Sequence, residues 1–539
     1  NSFSGTLTVD SGSRLLLRGL VTSRTAGSEP VAIYGAGMAG AQVAEALRVG
    51  GRFEPVAFLD DEHSLHESVV AGIEVHAPKA LDRLIQDEGV KSVLLALPSQ
   101  TRRRRQEILK SLERYPVRVM TVPDIGDLLS GAARIEDVRE VDTADLLGRD
   151  PVPPNERLFD ACITGKVVMV TGGGGSIGSE LCRQIAHLKP RRLVLLEMSE
   201  IALYQIDREL RAIMDREQFD FELTSLLGNA HHRYRVGEII QAYGVQTVYH
   251  AAAYKHLPIV EQNVIEGIHN NVIATWHTAE AALEHGVETF VLISTDKAVN
   301  PTNVMGATKR LAEIVLQGLQ KRDSRTKFCM VRFGNVLESS GSVVPLFREQ
   351  IARGGPMTVT HPDVIRYFMT IPEASQLVLQ AGAMAEGGDV FVLDMGKPIR
   401  IVDLARRMVA LAGLTVRDEE HPEGDIELRF TGLRPAEKLY EELLIGTNVS
   451  GTEHPMILRA MEHSLPWEQV HEILQNLLVA MGQFDVPAAC ALLQDAVSEY
   501  RPPGGIVDRV WTRRVGDRRA QSKVTSLETR RQIARRPSE

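Results

Sequence analysis

The sequence predicts an α/β fold made of two Rossmann-like domains, each built on a doubly wound parallel sheet. Short apolar runs alternate with helical segments along most of the chain, which is the pattern of parallel strands joined by crossover helices. A glycine-rich turn stands at the start of each series: GAGMAG begins at Gly35 and GGGGSIG begins at Gly172. A chain of 539 residues also exceeds what one ordinary hydrophobic core can hold.

The composition excludes several classes of function. With 44% hydrophobic and 24% charged residues, the chain has the balance of a soluble globular protein. Its formal net charge of -9 argues against a nucleic-acid partner. The four cysteines include no CxxC pair, so we expect neither a metal site nor a disulfide framework. No apolar run approaches the ~20 residues that span a bilayer, so the chain as given is expected to be soluble.

The strand and turn pattern divides the chain into four segments. Residues 1–30 are expected to form a linker or a juxtamembrane stub, because they contain the apolar and basic stretch SRLLLRGL. The first sheet domain is predicted at 31–150 and the second at 151–500, after a proline-rich boundary. The tail 501–539 is rich in arginine and poor in apolar residues, which predicts disorder. Because the chain begins with Asn1 rather than Met, we expect an upstream portion.

The glycine turn of the second domain is the predicted cofactor site. Gly172, Gly175 and Gly178 follow a strand and open a helix, so the backbone can approach a pyrophosphate at the helix N-terminus. Glu197 ends the next strand about 25 residues on, where a carboxylate binds the adenine ribose and repels a 2′-phosphate. We therefore predict NAD and leave NADP open.

The glycine turn of the first domain has a less certain use. Gly35, Gly37 and Gly40 have the spacing of a dinucleotide site, and Asp60 and Asp61 end the next strand. However, no reacting side chains follow, so a regulatory or structural domain is an equal alternative to a second cofactor site. We interpret the arginine run 102–105 as a solvated helical face and predict no site there.

The reaction centre is predicted where the strand ISTDK ends. Ligands of open α/β sheets collect at the carboxyl ends of strands, and Ser294, Thr295, Asp296 and Lys297 stand at this end. About eight residues later, MGATKR places Lys309 four residues after a methionine. Short-chain dehydrogenases carry Tyr-xxx-Lys at this spacing, with the tyrosine as proton carrier.

Met305 occupies the tyrosine position of that motif. A thioether cannot transfer a proton, so another group must titrate. Asp296 and Lys297 supply an acid and a base side by side, an arrangement suited to removing water from a sugar. The alternative is that ISTDK is a surface loop with an incidental ion pair and that the missing tyrosine marks an inactive enzyme.

The order of five motifs resembles the membrane-associated nucleotide-sugar 4,6-dehydratases of bacterial polysaccharide and glycan biosynthesis. The motifs are TGGGGSIGSE, AAAYKH, ISTDKAVNPTNVMGATKR, RFGNVL and GLRPAEKLYEELL. The resemblance covers roughly Val31 to Ile457 and implies an extended short-chain dehydrogenase whose substrate-binding region begins near residue 335. It also implies transmembrane helices ahead of the first domain, a place on the cytoplasmic side of the bacterial inner membrane and a homo-oligomer. Met305 conforms to the large members of this family.

The resemblance implies a three-step reaction on a UDP-linked N-acetylhexosamine, with UDP-N-acetylglucosamine as the expected substrate. The nicotinamide takes hydride from C4, the C5 proton and the C6 hydroxyl leave, and the hydride returns to C6. Lys297 is then the base at C5, Asp296 the acid for the leaving hydroxyl, Thr295 a substrate-orienting residue and Lys309 the ligand of the nicotinamide ribose. The cofactor-binding set also takes in Ser176, Ile177, Ala251 and Ala252.

The resemblance places substrate contacts at Lys255, Asn335, Arg366, Arg434 and Glu437, and an arginine fork suits a diphosphate. Each of these arginines has a surface salt bridge as its alternative.

Two residues depart from the family pattern. Asn229 replaces an aspartate expected at the adenine, and Glu338 replaces a glycine.

Two rival functions remain open at the level of the sequence. A nucleotide-sugar 4-epimerase shares the fold, the cofactor and the substrate class, but it needs a tyrosine-type proton carrier. A catalytically silent dinucleotide sensor or scaffold needs no acid–base pair.

Overall fold

The computed structural model describes residues 28–98, 100–122, 138–150, 152–419, 421–443 and 449–515. The predicted stretch SRLLLRGL and the tail beyond residue 515 lie outside these described residues. The chain divides into two compact units. The smaller unit takes in the described residues up to 150 together with 348–357 and 405–428, and the larger unit takes in the rest. The two later segments of the smaller unit fall inside the predicted second domain. A boundary placed at one point of the sequence cannot show that later segments of the chain fold back into the first unit.

The smaller unit contains a seven-stranded sheet in the order β3-β4-β2-β1-β5-β6-β7. The strands β4, β2, β1, β5 and β6 run parallel, while β3 and β7 pair antiparallel at the two edges. The strands are β1 Glu29–Tyr34, β2 Phe53–Leu59, β3 Val69–Val70, β4 Ile73–His76, β5 Ser92–Leu95, β6 Arg118–Thr121 and β7 Arg139–Glu140. The α-helices are Met38–Gly50, Leu81–Asp87, Arg102–Leu112 and Thr143–Leu147.

The larger unit contains a nine-stranded sheet in the order β10-β9-β8-β11-β12-β13-β18-β23-β22. Its first seven strands are parallel, and β23 and β22 add an antiparallel edge. The strands are β8 Val167–Thr171, β9 Arg192–Glu197, β10 Glu222–Leu227, β11 Thr247–His250, β12 Thr289–Ile293, β13 Lys327–Arg332, β18 Asp389–Leu393, β22 Val449–Gly451 and β23 Ile457–Ala460. Because strand order reverses between β8 and β11, this is the Rossmann arrangement, and the predicted fold class is confirmed.

Short strands and helices complete the chain. The short strands are β14 Asn335–Val336, β15 Met357–Val359, β16 Ile365–Arg366, β17 Phe368–Met369, β19 Ile399–Arg400, β20 Val416–Arg417 and β21 Ile426–Phe430. The remaining α-helices are Glu156–Asp160, Ser176–His187, Glu200–Glu217, Arg233–Tyr243, Leu257–Glu261, Val264–Ile268, Ala274–Glu284, Val304–Arg322, Val343–Ala352, Ile371–Ala383, Ile401–Leu411, Trp467–Gly482 and Val486–Ala496. Among the residues that the structure describes, no helix has both the length and the apolar character needed to cross a membrane.

The central sheet of the larger unit is buried on both faces. Along β8, Val167 and Met169 belong to one hydrophobic cluster, and Val168 and Val170 belong to another. Such burial on two sides explains why this strand reads as a continuous apolar run rather than an alternating one.

Part of the predicted tail is ordered. Ile506 and Trp511 pack against the core, and Asp508 is buried and accepts a hydrogen bond from the backbone N–H of Val264 at 3.0 Å. The expectation of disorder therefore does not hold for the described residues 501–515, because scattered apolar residues there find partners far away in sequence.

Candidate active site

A cavity of about 1090 Å³ opens at the carboxyl ends of β8, β11, β12 and β13 in the larger unit. A second cavity of about 260 Å³ opens at the ends of β8, β9 and β10. Polypeptide that follows these strands forms both cavities, as expected at the reversal of strand order. Predicted site residues in the large cavity are Gly175, Ser176, Ile177, Gly178, Ala251, Lys255, Thr295, Lys297, Met305, Lys309, Asn335, Arg366, Arg434 and Glu437. Those in the small cavity are Gly172, Gly175, Glu197, Ala251 and Ala252.

The glycine loop fits a dinucleotide. Gly172 has φ of 69°, and a β-carbon there would lie 2.7 Å from the backbone nitrogen of Ala252. A β-carbon on Gly178 would lie 2.0 Å from the carbonyl oxygen of Gly172. The helix Ser176–His187, called here the glycine-loop helix, begins after Gly175, and among the described residues no side chain caps this end. Its first N–H groups and its positive dipole end are therefore available to a pyrophosphate.

Glu197 braces the glycine loop from the end of β9. One carboxylate oxygen accepts a hydrogen bond from the backbone N–H of Gly174 at 3.0 Å, and the other accepts one from Ser199 at 2.9 Å. Each oxygen keeps a further lone pair, so the carboxylate can still accept a ribose hydroxyl from the small cavity.

Asn229 also lines the small cavity, at the position where an aspartate was expected. Its Oδ1 accepts a hydrogen bond from the backbone N–H of His231 at 3.1 Å. The end of β10 thus presents a neutral amide to this cavity instead of a carboxylate.

Lys297 and Asp296 form a direct ion pair. The Nζ of Lys297 donates to Asp296 Oδ1 at 2.9 Å and to Asn335 Oδ1 at 3.2 Å, and Thr295 Oγ1 donates to the same Asp296 oxygen at 2.9 Å. Burial lowers the pKa of Lys297, but the negative charges of Asp296 and Glu441 outweigh it, and the net shift of this pKa is upward. Lys297 is therefore an ammonium near neutral pH.

The two partners of this ion pair differ in access to the cavity. Thr295 and Lys297 line it, whereas Asp296 has no exposed surface. The second oxygen of Asp296 is buried and has no hydrogen-bond partner among the described residues. Asp296 is thus the one predicted site residue that reaches neither cavity.

Met305 and Lys309 stand one turn apart on the helix Val304–Arg322, called here the lysine helix, and both line the large cavity. Lys309 Nζ donates to the carbonyl oxygen of Ile293 at 2.6 Å. Burial lowers the pKa of Lys309 to about 8, against a smaller opposing effect of the Glu313 carboxylate.

Gly306 is a site residue that sequence reasoning missed. A β-carbon there would lie 2.2 Å from the carbonyl oxygen of Lys297, so this glycine lets the lysine helix approach the turn that carries the ion pair. The available signal was a glycine next to Met305 inside the MGATK motif.

The guanidinium of Arg366 is held by hydrogen bonds within the protein. Its guanidinium donates to the carbonyl oxygens of Ile365 at 2.8 Å, Lys438 at 2.8 Å and Leu439 at 3.2 Å, and to Glu437 at 3.2 Å. These bonds shape the loop that follows GLRP and leave few donors for a ligand.

The guanidinium of Arg434 is exposed at the cavity and has no hydrogen-bond or ion-pair partner in the part of the chain described here. Glu437 accepts a hydrogen bond from the backbone N–H of Arg434 at 3.2 Å, which fixes the backbone that carries this arginine. Arg434 is therefore the arginine that remains available to a diphosphate.

Glu441 and Glu338 are two further findings near this site. Glu441 is buried in the same motif, its Oε1 lies 3.8 Å from Arg366 Nε, and burial raises its pKa while Lys297 opposes the shift. Its only sequence signal was its place in GLRPAEKLYEELL. Glu338, where a glycine was expected, has φ of 60°, the left-handed region that favours glycine.

The strand order, the glycine loop and the lysine helix together define a protein of the short-chain dehydrogenase class. The chain matches the family described as "Polysaccharide biosynthesis protein" over residues 168–462, more than half of its length, and it belongs to this family. This assignment confirms the part of the five-motif resemblance that concerns polysaccharide biosynthesis.

Three curated proteins are similar to this chain in sequence. The capsular polysaccharide biosynthesis protein CapD of Staphylococcus aureus is 45% identical over 416 residues, which cover 76% of this chain and 68% of that protein. The probable polysaccharide biosynthesis protein EpsC of Bacillus subtilis is 41% identical over 478 residues, covering 84% of this chain and 78% of that protein. A UDP-glucose 4-epimerase of Rickettsia canadensis is 31% identical over 290 residues, covering 53% of this chain and 80% of that protein.

Proposed function

We propose that this protein is an NAD-dependent nucleotide-sugar 4,6-dehydratase of polysaccharide or glycan biosynthesis, with UDP-N-acetylglucosamine as the substrate we favour. The observation that carries this proposal is the Asp296–Lys297 ion pair, whose lysine lines the same cavity as Met305 and Lys309. The pair offers both an acid and a base where the proton carrier of a simple dehydrogenase is replaced by a thioether.

Bound NAD supplies a temporary oxidation at C4 of the sugar and the return of the same hydride to C6. The glycine-loop helix would hold its pyrophosphate, and Lys309 would donate to its nicotinamide ribose. Glu197 would accept from the adenine ribose and repel a 2′-phosphate, which favours NAD over NADP.

Lys297 is the group placed to take the C5 proton. It needs a free amine for this role, but the ion pair keeps it protonated. Asp296 can take the extra proton from Lys297, because its Oδ1 lies only 2.9 Å from the Nζ. One proton passing from Lys297 to Asp296 creates an amine at the cavity and a carboxylic acid behind it in a single step.

Asp296 is the source of the proton for the hydroxyl that leaves C6. Because it has no exposed surface, it must deliver this proton through a group that lines the cavity. Thr295 lines the cavity and donates to Asp296 Oδ1 at 2.9 Å, so its hydroxyl can relay this proton while Lys297 keeps the proton taken from C5.

The nucleotide half of the substrate is assigned to the outer part of the same cavity. The free guanidinium of Arg434 would bind the diphosphate, and Lys255 at the cavity wall adds a second positive charge. Arg366 and Glu437 act by shaping the loop that presents Arg434.

An epimerase is the second candidate, because a UDP-glucose 4-epimerase is among the relatives. The Asp296–Lys297 pair favours the dehydratase, because an epimerase exchanges a hydride and a proton at C4 alone and needs no acid and base to eliminate water. A silent sensor with two dinucleotide units is the third candidate.

Incubation of the purified chain with NAD and UDP-N-acetylglucosamine separates these three candidates. We expect a UDP-linked 4-keto-6-deoxy sugar, identified by mass spectrometry and NMR. A C4-inverted sugar would establish an epimerase instead, and NAD binding without any turnover would establish a sensor.

The variant Lys297→Ala tests the assigned base. We expect turnover to fall by a factor of at least about 1000, because general acid and base catalysis are lost together, while NAD affinity stays near the wild-type value. Lys321→Ala is the matched control, since Lys321 is exposed and, among the described residues, donates to the carbonyl oxygen of Ser464 alone. Wild-type rates in Lys297→Ala would remove this lysine from the mechanism.

A further inference from the structure

Four charged side chains form a cluster behind the active site, and three of them are fully buried. Arg332, the last residue of β13, donates to both oxygens of Glu313 at 2.8 and 2.6 Å and to Glu462 at 2.6 Å. Arg310 donates to Glu313 at 3.2 Å and lies 3.5 Å from Glu462. Arg310, Arg332 and Glu313 have no exposed surface. We call Arg310, Glu313, Arg332 and Glu462 the buried ion cluster.

Stability alone is a weak reason for such a cluster. Removing charges from water is costly, and replacing a buried ion pair by apolar side chains is often neutral or stabilising. Charged groups held in one fixed geometry can, however, specify the position of the groups that they contact. The contacts of this cluster therefore indicate what it positions.

The cluster contacts the turn that carries the catalytic pair. Ser294 Oγ donates to Glu313 Oε1 at 2.6 Å, and the backbone N–H of Ser294 donates to the carbonyl oxygen of Val331 at 2.8 Å. Ser294 immediately precedes Thr295, Asp296 and Lys297 in the chain. Glu313 thus holds the start of this turn through one charge-assisted hydrogen bond.

The cluster also acts on Lys309. Glu313 follows Lys309 by one turn of the lysine helix, and its carboxylate favours the charged form of this otherwise desolvated lysine. The other groups that face Lys309 are the carbonyl oxygen of Ile293 on β12 and His250 at the end of β11. Glu313 supplies the negative charge among them, because burial holds the pKa of His250 at about 3 and its ring stays neutral.

We propose that Glu313 is a positioning residue of this active site. Through Ser294 it holds the turn of the Asp296–Lys297 pair, and through its charge it keeps Lys309 in the form that donates to the nicotinamide ribose. Glu462 anchors the arrangement from the segment after β23. The kinetic part of this inference depends on the proposed dehydratase activity, whereas the part on Lys309 depends only on NAD binding.

The first test measures NAD affinity against pH in the full chain, which needs no turnover. We expect wild-type affinity to fall as Lys309, whose pKa burial lowers to about 8, loses its proton. In Glu313→Gln we expect the midpoint of this fall to move to lower pH by about one unit, because the supporting charge is gone. Glu280→Gln is the matched control: Glu280 is also buried and accepts from Arg322 of the lysine helix at 2.8 and 2.7 Å, but among the described residues no contact joins it to Ser294 or Lys309. It should keep the wild-type midpoint.

The second test uses Ser294→Ala, which leaves no charge unpaired and so avoids the risk that Glu313→Gln does not fold. We expect kcat to fall about tenfold or more while KM for the sugar nucleotide stays within about twofold, because the turn is misplaced and the binding surface is not. An unchanged midpoint in Glu313→Gln together with a wild-type kcat in Ser294→Ala would overturn the proposal. Wild-type chain without dehydratase product would refute the proposed function and leave the NAD test valid.

Discussion

Lys309, which we propose as a ligand of the nicotinamide ribose, carries a cost in stability. Folding strips this ammonium of water, and burial lowers its pKa from 10.5 to about 8. At pH 7 the lysine is still charged in the folded chain, so the desolvation cost is fully present. As the pH rises from about 8 to 10.5, the folded chain loses this proton before the unfolded chain does, and the cost fades.

The variant Lys309→Met should therefore be more stable and inactive. We expect the free energy of unfolding at pH 7 to rise by roughly 1–2 kcal/mol, less than the full effect of the pKa shift because the hydrogen bond to Ile293 is lost. Denaturant unfolding at pH 7 and at pH 10.5 measures this. The gain should shrink at the higher pH, and an equal gain at both values would contradict the electrostatic explanation.

Asn229 offers a second prediction, on cofactor affinity. A carboxylate at this position adds an acceptor for the exocyclic amine of adenine, whereas the Oδ1 of Asn229 already accepts from His231. We expect Asn229→Asp to lower the Kd for NAD by about 5- to 10-fold, the usual net value of one hydrogen bond. Calorimetric titration with NAD checks this, and weaker binding by the variant would show that the amide is the better adenine ligand here.

The glycine-loop helix depends on close contact between its first turn and the preceding strand. In Gly178→Ala the new β-carbon would lie 2.0 Å from a backbone oxygen of Gly172, so the loop must move. We expect the loss of measurable NAD binding and a decrease of about 1–3 kcal/mol in the free energy of unfolding. Gly482→Ala is the matched control, because a β-carbon at that helix end meets nothing within 4 Å. It should leave NAD binding unchanged.

Secondary structure near the site followed from local sequence to a large extent. The apolar runs and the glycine turn predicted β8, the glycine-loop helix and β9 because both partners of each local interaction lie close together in the chain. The turn that carries Asp296 and Lys297 does follow the strand predicted for it, β12, but its buried neighbours Arg332 and Glu441 were not predicted as part of the site. They come from other strands and loops, and their charges act only after folding brings them near.

The two units of the chain lead to a prediction on thermal unfolding. Both units carry a glycine turn, but the proposed NAD site lies in the larger one. NAD at about 100 times its Kd should stabilise the unit that binds it by about 2.7 kcal/mol. We expect scanning calorimetry to show an upward shift confined to the transition of the larger unit, absent in Gly178→Ala. A shift of both transitions would mean that the smaller unit also binds the dinucleotide.

Local sequence was enough to specify the Rossmann class, the glycine loop and the pairing of an acid with a base at a strand end. Each depends on residues that are neighbours in the chain, so backbone geometry and hydrophobic periodicity suffice. Folding decided which groups reach the cavity: Lys297 lines it, Asp296 lies behind it, and Arg366 is hydrogen-bonded to other residues, whereas Arg434 has no side-chain partner among the described residues. Solvation and charge depend on every atom nearby, and those atoms come from distant parts of the sequence.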